Sequence, residues 1–138
     1  MTKSDLYEFV ARYKLGVISS LSPSGTVQSA LVGIAITQDL EIIFDTVKTS
    51  RKYPNLIGNP GCSFVIGWTG EQTMQYEGTA TEPEGKELER CQKTYFTAWP
   101  DGPSRLAWPG ITYFCVNPKW IRYSDFDAKP PLIQEFRF

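Results

Sequence analysis

The sequence contains no histidine among its 138 residues. This absence excludes Ser–His and Cys–His nucleophilic sites, the usual zinc sites and the common proximal haem ligand. Chemistry near neutral pH must therefore use a bound cofactor, or Lys, Tyr, Cys or carboxylate groups whose pKa values are shifted.

Long apolar runs and paired cysteines are also lacking. No apolar run approaches the roughly 20 residues of a membrane helix, and the N-terminus has no apolar segment typical of a signal peptide. The three cysteines, Cys62, Cys91 and Cys115, fall in three different predicted elements without metal-ligand spacing. We interpret them as reduced, buried thiols and expect a soluble cytoplasmic protein.

The composition is that of a folded domain with an uneven distribution of charge. Hydrophobic residues make up 41% and aromatic residues 14% of the chain, enough for a core, so we expect a single domain over residues 1–138. The net charge of −1 argues against a general nucleic-acid binder. Between Thr46 and Gly70 there is no acidic residue but there are three cations, Lys48, Arg51 and Lys52, a pattern that suits a small anionic ligand.

The hydrophobic pattern predicts short strands punctuated by three helices. Apolar residues at helical spacing from Leu6 to Tyr13 indicate a first helix that Thr2 or Ser4 can cap. A short helix follows Ser50, another begins at Pro83, and Phe96 to Pro109 is predicted as a long loop. The tail from Phe126 has no clear period. The predicted strands are Leu15 to Leu21, Val27 to Thr37 with a bend or close contact at Gly33, Glu41 to Asp45, Cys62 to Trp68, Gln72 to Thr81, Ile111 to Val116 and Trp120 to Asp125.

Tight turns between successive strands favour an antiparallel sheet. Six or seven strands in so short a chain favour a closed or nearly closed barrel, so we predict a mainly β fold with short flanking helices.

The segment from Glu41 to Leu56 is the strongest candidate for a binding site. An apolar strand and a polar loop lead to Ser50, Arg51 and Lys52 at the start of the predicted short helix. Unpaired backbone N–H groups, two cations and a hydroxyl at one place indicate a phosphate site. The alternative is an ordinary helix N-terminus with a serine cap and two solvated cations.

These residues resemble the pyridoxamine 5′-phosphate oxidase-like family, the FMN-binding split β-barrels. The resemblance runs from the first helix to about Asp125. It is carried by the order of Phe44–Thr46, Thr49–Lys52 and the pair Asn59–Pro60, and by the closing aromatic strand Lys119–Phe126.

The resemblance implies an FMN that lies at the interface of a homodimer and touches both subunits. The second strand would border the cofactor, Asp45 and Thr46 would lie along its ribityl chain and phosphate, and Gln72 or Gln75 would reach the polar edge of the flavin. Tyr123 stands where the family often has an aromatic residue near the flavin of the partner. The candidate cofactor-binding residues are Gln28, Ser29, Ala30, Leu31, Asp45, Thr46, Ser50, Arg51, Lys52, Gln75 and Tyr123.

The leading hypothesis is an FMN-dependent oxidoreductase that acts on a small substrate. The second strand lacks the basic residues of true pyridoxamine phosphate oxidases, and Ala128 to Phe138 lacks their Arg/His-rich motif, so we do not expect vitamin B6 to be the substrate. Two alternatives are a non-catalytic flavin-binding or flavin-sensing protein and a protein that binds a deazaflavin. Trp99 and Trp108 either cover the flavin ring or serve in packing.

Overall fold

A computed structural model describes all residues, 1–138, as three α-helices, one 3₁₀ helix and eight strands. The helices are α1 (Lys3–Arg12), α2 (Lys52–Gly58), α3 (Gly85–Ala98) and the 3₁₀ helix (Gly102–Ala107). The strands are β1 (Leu15–Leu21), β2 (Val27–Gly33), β3 (Ala35–Ile36), β4 (Ile42–Val47), β5 (Gly61–Ile66), β6 (Gln72–Thr81), β7 (Ile111–Asp125) and β8 (Leu132–Arg137).

Every strand pair is antiparallel, in the order β2-β1-β5-β6-β7-β4-β3, with β8 paired to the second half of β7. The sheet curls until β2 comes within contact of β4, which gives the predicted split barrel. No helix is long and apolar enough to cross a membrane.

The interior of the curled sheet holds the main core. Alternating residues of the strands supply it, and α1 packs Leu6, Phe9 and Val10 against it. The predicted cap of α1 is confirmed at Thr2, which forms a capping box with Asp5. A second, smaller core lies on the opposite face of β3, β4 and β7, where α3 covers the sheet with Cys91 and Tyr95.

One predicted interruption is confirmed, and three predicted segments differ from the structure. The run Val27 to Thr37 is interrupted after Gly33 as predicted, and the close contact there is with Trp99, whose ring lies 2.8 Å from where a Cβ of residue 33 would be. The two predicted C-terminal strands form one continuous β7, because Asn117 and Pro118 remain paired with β6 and only Lys119 is left out of the register, at a bulge opposite Glu77 and Gly78.

The predicted loop Phe96 to Pro109 is largely helical, and the tail contains a strand. Helix α3 continues to Ala98 because Tyr95 and Phe96 pack edge-on against Tyr113, and the 3₁₀ helix follows. In the tail, β8 forms because its backbone pairs with β7. Its apolar residues Leu132 and Ile133 are exposed, so the hydrophobic pattern did not predict this strand.

Candidate functional site

A cleft lies between the strands β1 and β2 and the start of α2. Its volume is about 130 Å³. It brings together five of the candidate residues from two distant segments of the chain. The cleft is lined by Ile18, Ser20, Gln28, Ser29, Ala30, Arg51 and Lys52. It is smaller than the roughly 300–1,000 Å³ of typical ligand pockets, so it can enclose one end of a nucleotide cofactor rather than the whole molecule.

Arg51 and Lys52 give the cleft its positive charge. Neither cation has an ion-pair partner in the protein. Arg51 is exposed, whereas Lys52 is half-buried, and this burial lowers the pKa of Lys52 although the nearby Asp45 carboxylate acts in the opposite direction. Two cations without ion-pair partners, one of them half-buried, favour an anionic ligand.

A buried hydrogen-bond network fixes the polar wall of the cleft. Asn55 of α2 is 4% exposed, and its Nδ2 donates to the Gln28 Oε1 at 2.9 Å and to the Ser20 Oγ at 3.1 Å. Because the Gln28 oxygen accepts from Asn55, the Nε2 of the same amide is left as a donor. The wall of the cleft therefore presents hydrogen-bond donors beside the two cations.

Thr46 and Ser50 lie beside this cleft without lining it. Their hydroxyl groups are hydrogen-bonded to each other at 3.0 Å, which ties the end of β4 to the loop before α2. Helix α2 begins at Lys52 after Arg51, whose side chain makes no cap hydrogen bond, so the serine cap of the alternative interpretation is absent. The positive charge of the cleft comes from side chains, since a helix of seven residues has little dipole to contribute.

Asp45 lies on the other face of β4, under α3 and the 3₁₀ helix. Its carboxylate accepts a hydrogen bond of 2.7 Å from the Arg105 Nε and one of 3.1 Å from the Tyr95 hydroxyl. The side chains of this ion pair are 14% exposed for Asp45 and 15% exposed for Arg105. Both Asp45 oxygens therefore accept hydrogen bonds from protein groups. The effect of Asp45 on the cleft is electrostatic: its negative charge acts to raise the pKa of Lys52.

Ser29, Leu31 and Gln75 lie on the outer face of the sheet. The Ser29 hydroxyl pairs with that of Ser19 at 2.8 Å across β1 and β2. Leu31 is 61% exposed, and the strand register places it in one row with Val17, Val65 and Gln75. Leu31 and Gln75 therefore belong to an open sheet surface adjacent to the cleft, whereas Ser29 also lines the edge of the cleft.

Tyr123 is placed in the main core rather than at the surface. It is 5% exposed and packs edge-on against Phe9 of α1, with ring centroids 5.3 Å apart. Burial raises the pKa of the Tyr123 phenol, and the nearby Asp125 carboxylate adds to this. Its proposed contact with the flavin of a partner stays a prediction, one that this burial disfavours.

The two loop tryptophans have different environments. Trp99 covers Gly33, stacks on Tyr95 and donates its Nε1 to the Ile34 carbonyl at 3.0 Å, so it serves in packing. Trp108 is 54% exposed.

The sequence reasoning missed two residues that organise the site, Asn55 and Arg105. Asn55 had a weak signal, because asparagine is an unfavourable residue inside a helix and needs a reason to be there. The sequence contains no such signal for Arg105, because its partner Asp45 lies 60 residues earlier in the chain.

The comparison with solved structures finds the same fold in proteins of low sequence identity. General Stress Protein 26 from Bacillus anthracis is 20% identical with a TM-score of 0.73, and the match covers 99% of this chain and 98% of that one. A heme binding protein from Mycobacterium smegmatis is 14% identical with a TM-score of 0.84, and the match covers 99% of this chain but only 58% of that chain.

The heme storage protein HutZ from Vibrio cholerae is also similar. It is 14% identical with a TM-score of 0.72, and the match covers 84% of this chain and 89% of that one. Comparison with curated protein sequences finds no match.

The sequence model of one family matches nearly the whole chain. The match covers residues 3–125, from α1 to the end of β7, and therefore includes β2, β4 and α2, which build the cleft. Together with the split-barrel architecture, this match shows that the chain belongs to the pyridoxamine 5′-phosphate oxidase family.

Proposed function

We propose that this protein binds FMN and acts as an FMN-dependent oxidoreductase on a small substrate. The observation that carries the proposal is the convergence of Arg51 and Lys52, both without ion-pair partners, with the Gln28 amide in one cleft. These donors suit the terminal phosphate of FMN. The match to the pyridoxamine 5′-phosphate oxidase family supports the same cofactor.

The three donor residues would contribute to phosphate binding in different ways. Arg51 offers a planar guanidinium for two parallel hydrogen bonds to phosphate oxygens, and Lys52 offers a partly desolvated point charge. Gln28, oriented by Asn55, offers a neutral donor from the facing strand. The flavin would supply the redox chemistry, while the protein binds and orients it.

The small volume of the cleft supports a site that a second copy of the chain completes. The outer face of β2, β1 and β5 exposes a group of apolar side chains next to the cleft. They are Val27 (68% exposed), Leu31 (61%), Val65 (44%), Leu21 (37%) and Leu15 (37%). A homodimer that buries this face would remove the apolar surface from water and enclose the flavin ring between the subunits.

Haem is the competing ligand that the solved structures suggest. The names of two similar proteins describe heme binding or heme storage. This chain has no histidine, so the common proximal haem ligand is lacking. The cationic cleft suits a phosphate better than an iron porphyrin.

The absorption spectrum of the purified protein, with mass spectrometry of the released ligand, tests the proposal. We expect the two visible bands of oxidised flavin and the mass of FMN. A Soret band would identify haem, and a deazaflavin mass would identify the alternative flavin. Protein that is colourless and takes up no FMN on reconstitution would show that the proposal is wrong.

A second measurement separates an enzyme from a flavin sensor. We expect a nicotinamide nucleotide to bleach the bound FMN, with repeated turnover when an electron acceptor is added. Bound FMN that no reduced nucleotide can bleach would favour a non-catalytic flavin-binding protein.

A further inference from the structure

A second cavity lies away from the cleft that Arg51 and Lys52 line. It is a groove of about 460 Å³ between α1 and α3, and β3 forms its floor. It shares no lining residue with the cleft. The groove is lined by Tyr7, Val10, Ala11, Tyr13, Lys14, Ile34, Ala35, Ile36, Lys93, Thr94, Thr97 and Ala98. Its volume is within the range of small-molecule sites.

The charges of the groove have one sign. Lys14 and Lys93 are the only charged residues among those that line it. The Lys14 ammonium is held by the Ala98 carbonyl at 2.8 Å and lies over the Trp99 ring. Lys93 is exposed, and its ammonium has no hydrogen-bond or ion-pair partner in the protein. An apolar body with one negative group matches this arrangement.

The floor of the groove offers polar groups as well. Strand β3 is the last in the sheet order, so one of its edges is not paired to a strand. Thr37 pairs with Glu41 through its N–H, and Ile34 directs its N–H to Lys14 on the opposite side. In an antiparallel pair, the backbone groups of successive residues point alternately to the two edges of the strand. The Ile36 backbone groups therefore point to the same edge as the Ile34 N–H, towards the groove. No turn or side-chain hydrogen bond is made to the Ile36 backbone at this edge.

We propose that this groove is a second binding site, for an amphipathic monoanion. The hydrocarbon body would lie on Val10, Ala11 and Ile34, and the acidic group would pair with Lys93. The Ile36 peptide would serve a polar substituent. The site is independent of the flavin, since the two share no residue.

The test uses two probes that differ in one charge. The aromatic sulfonate 1-anilinonaphthalene-8-sulfonate is titrated into the FMN-saturated protein, with N-phenyl-1-naphthylamine as its uncharged analogue. We expect saturable 1:1 fluorescence with both probes and no displacement by further FMN. In ¹H–¹⁵N spectra the Ile36 amide should shift, whereas Leu31 on the outer face should not.

Substitutions distinguish the contribution of the Lys93 charge from that of the apolar groove. Lys93→Gln should weaken sulfonate binding about three- to fivefold, as for the loss of one solvent-exposed ion pair, and should leave the neutral probe unchanged. Lys86→Gln, on the same helix but outside the groove, should change neither. Ala11→Trp on α1 and Thr97→Trp on α3 should each fill the groove and prevent binding of both probes while FMN binding is retained.

Three results would overturn the proposal. Displacement of the sulfonate by FMN would place the probe in the flavin cleft. Unchanged probe binding in a folded Ala11→Trp or Thr97→Trp protein would place it elsewhere. Equal weakening of both probes by Lys93→Gln would show that the lysine does not recognise the anion.

Discussion

The Asn55 side chain on α2 donates a hydrogen bond of 2.9 Å to the Gln28 amide oxygen on β2. This bond joins the two segments that form the cleft and sets which end of the Gln28 amide faces it. The same Asn55 nitrogen donates to Ser20 on β1, so one buried side chain positions two strands relative to the cations of α2.

Replacement of Asn55 by alanine should therefore affect both folding and binding. The change leaves Ser20 and Gln28 without their buried donor, and we expect the free energy of unfolding to fall by about 1–3 kcal/mol. FMN affinity should fall as well, because Gln28 can then rotate. Urea denaturation and FMN titration measure the two effects. Asn117→Ala, at an exposed position of β7 whose side chain makes no hydrogen bond, is the matched control. An Asn55→Ala protein as stable as the native one would contradict this role.

Replacement of Arg51 by alanine tests the phosphate contact directly. Arg51 is exposed and makes no ion pair, so its loss should leave the stability of the fold nearly unchanged. FMN binding should weaken by about 1.5–3 kcal/mol, the value for a hydrogen bond to a charged group. Fluorescence quenching of FMN gives the affinity. Arg137→Ala, on the exposed edge strand β8, should bind FMN normally. Unchanged affinity in Arg51→Ala would show that this cation is only solvated.

Much of this fold follows from local patterns. Thr2 caps α1 as expected, and the hydrophobic pattern predicted every strand of the sheet except the C-terminal β8, with β2 and β3 as one interrupted run and β7 as two strands. These features depend on residues close together in the chain, where spacing alone carries the signal.

What could not be predicted depends on distant contacts. The 3₁₀ helix is held by Arg105 bound to Asp45, and β8 is held by its backbone bonds to β7. Neither interaction leaves a periodic pattern in the sequence. For the same reason the sequence predicted that Arg51 and Lys52 lie together, as they do in the cleft, but did not show that Asp45 lies on the other face of β4.

The pKa of Lys52 predicts how FMN binding depends on pH. Burial lowers this pKa below the usual value of about 10.4, and only the charged ammonium attracts phosphate. As pH rises, FMN affinity should therefore begin to fall earlier than for an exposed lysine. In Lys52→Arg the charge persists, and affinity should stay level over the same range. Titrations of FMN at increasing pH test this. A parallel decline in both proteins would assign the effect to another group.

The Glu41–Arg90 pair predicts a loss of stability in acid. Burial opposes ionisation of Glu41, but bonds to Arg90, Cys115 and Thr37 outweigh it and hold the pKa of Glu41 below its usual value of about 4.3. A carboxylate with a lowered pKa stabilises the fold above its unfolded-state pKa, and this contribution is lost as pH falls through the folded-state pKa. At neutral pH, Glu41→Gln should cost about 1–2 kcal/mol, less than the full value for hydrogen bonds to a charged group, because Arg90 is 41% exposed and solvent screens the pair.

Urea denaturation at several pH values measures this contribution. The native protein should lose stability on acidification more steeply than Glu41→Gln does. Glu84→Gln, at the exposed start of α3, should behave like the native protein. Identical slopes for Glu41→Gln and the native protein would show that Glu41 is not the group that titrates.

Leu31 links the proposed dimer to the proposed cofactor. It lies 61% exposed on β2, three residues after Gln28, on the face that a second copy would bury. Leu31→Glu should produce a monomer, because two carboxylates would have to leave water at a symmetric interface. The same change should lower FMN affinity at least as much as Arg51→Ala does, because the cleft of one copy encloses too little of the cofactor. Sedimentation velocity and FMN titration on the same sample test both effects. Leu106→Glu, on the 3₁₀ helix at 48% exposure, is the control for adding a charge to an exposed leucine. A Leu31→Glu protein that remains a dimer, or a monomer that binds FMN with native affinity, would separate the cofactor from the interface and contradict the shared site.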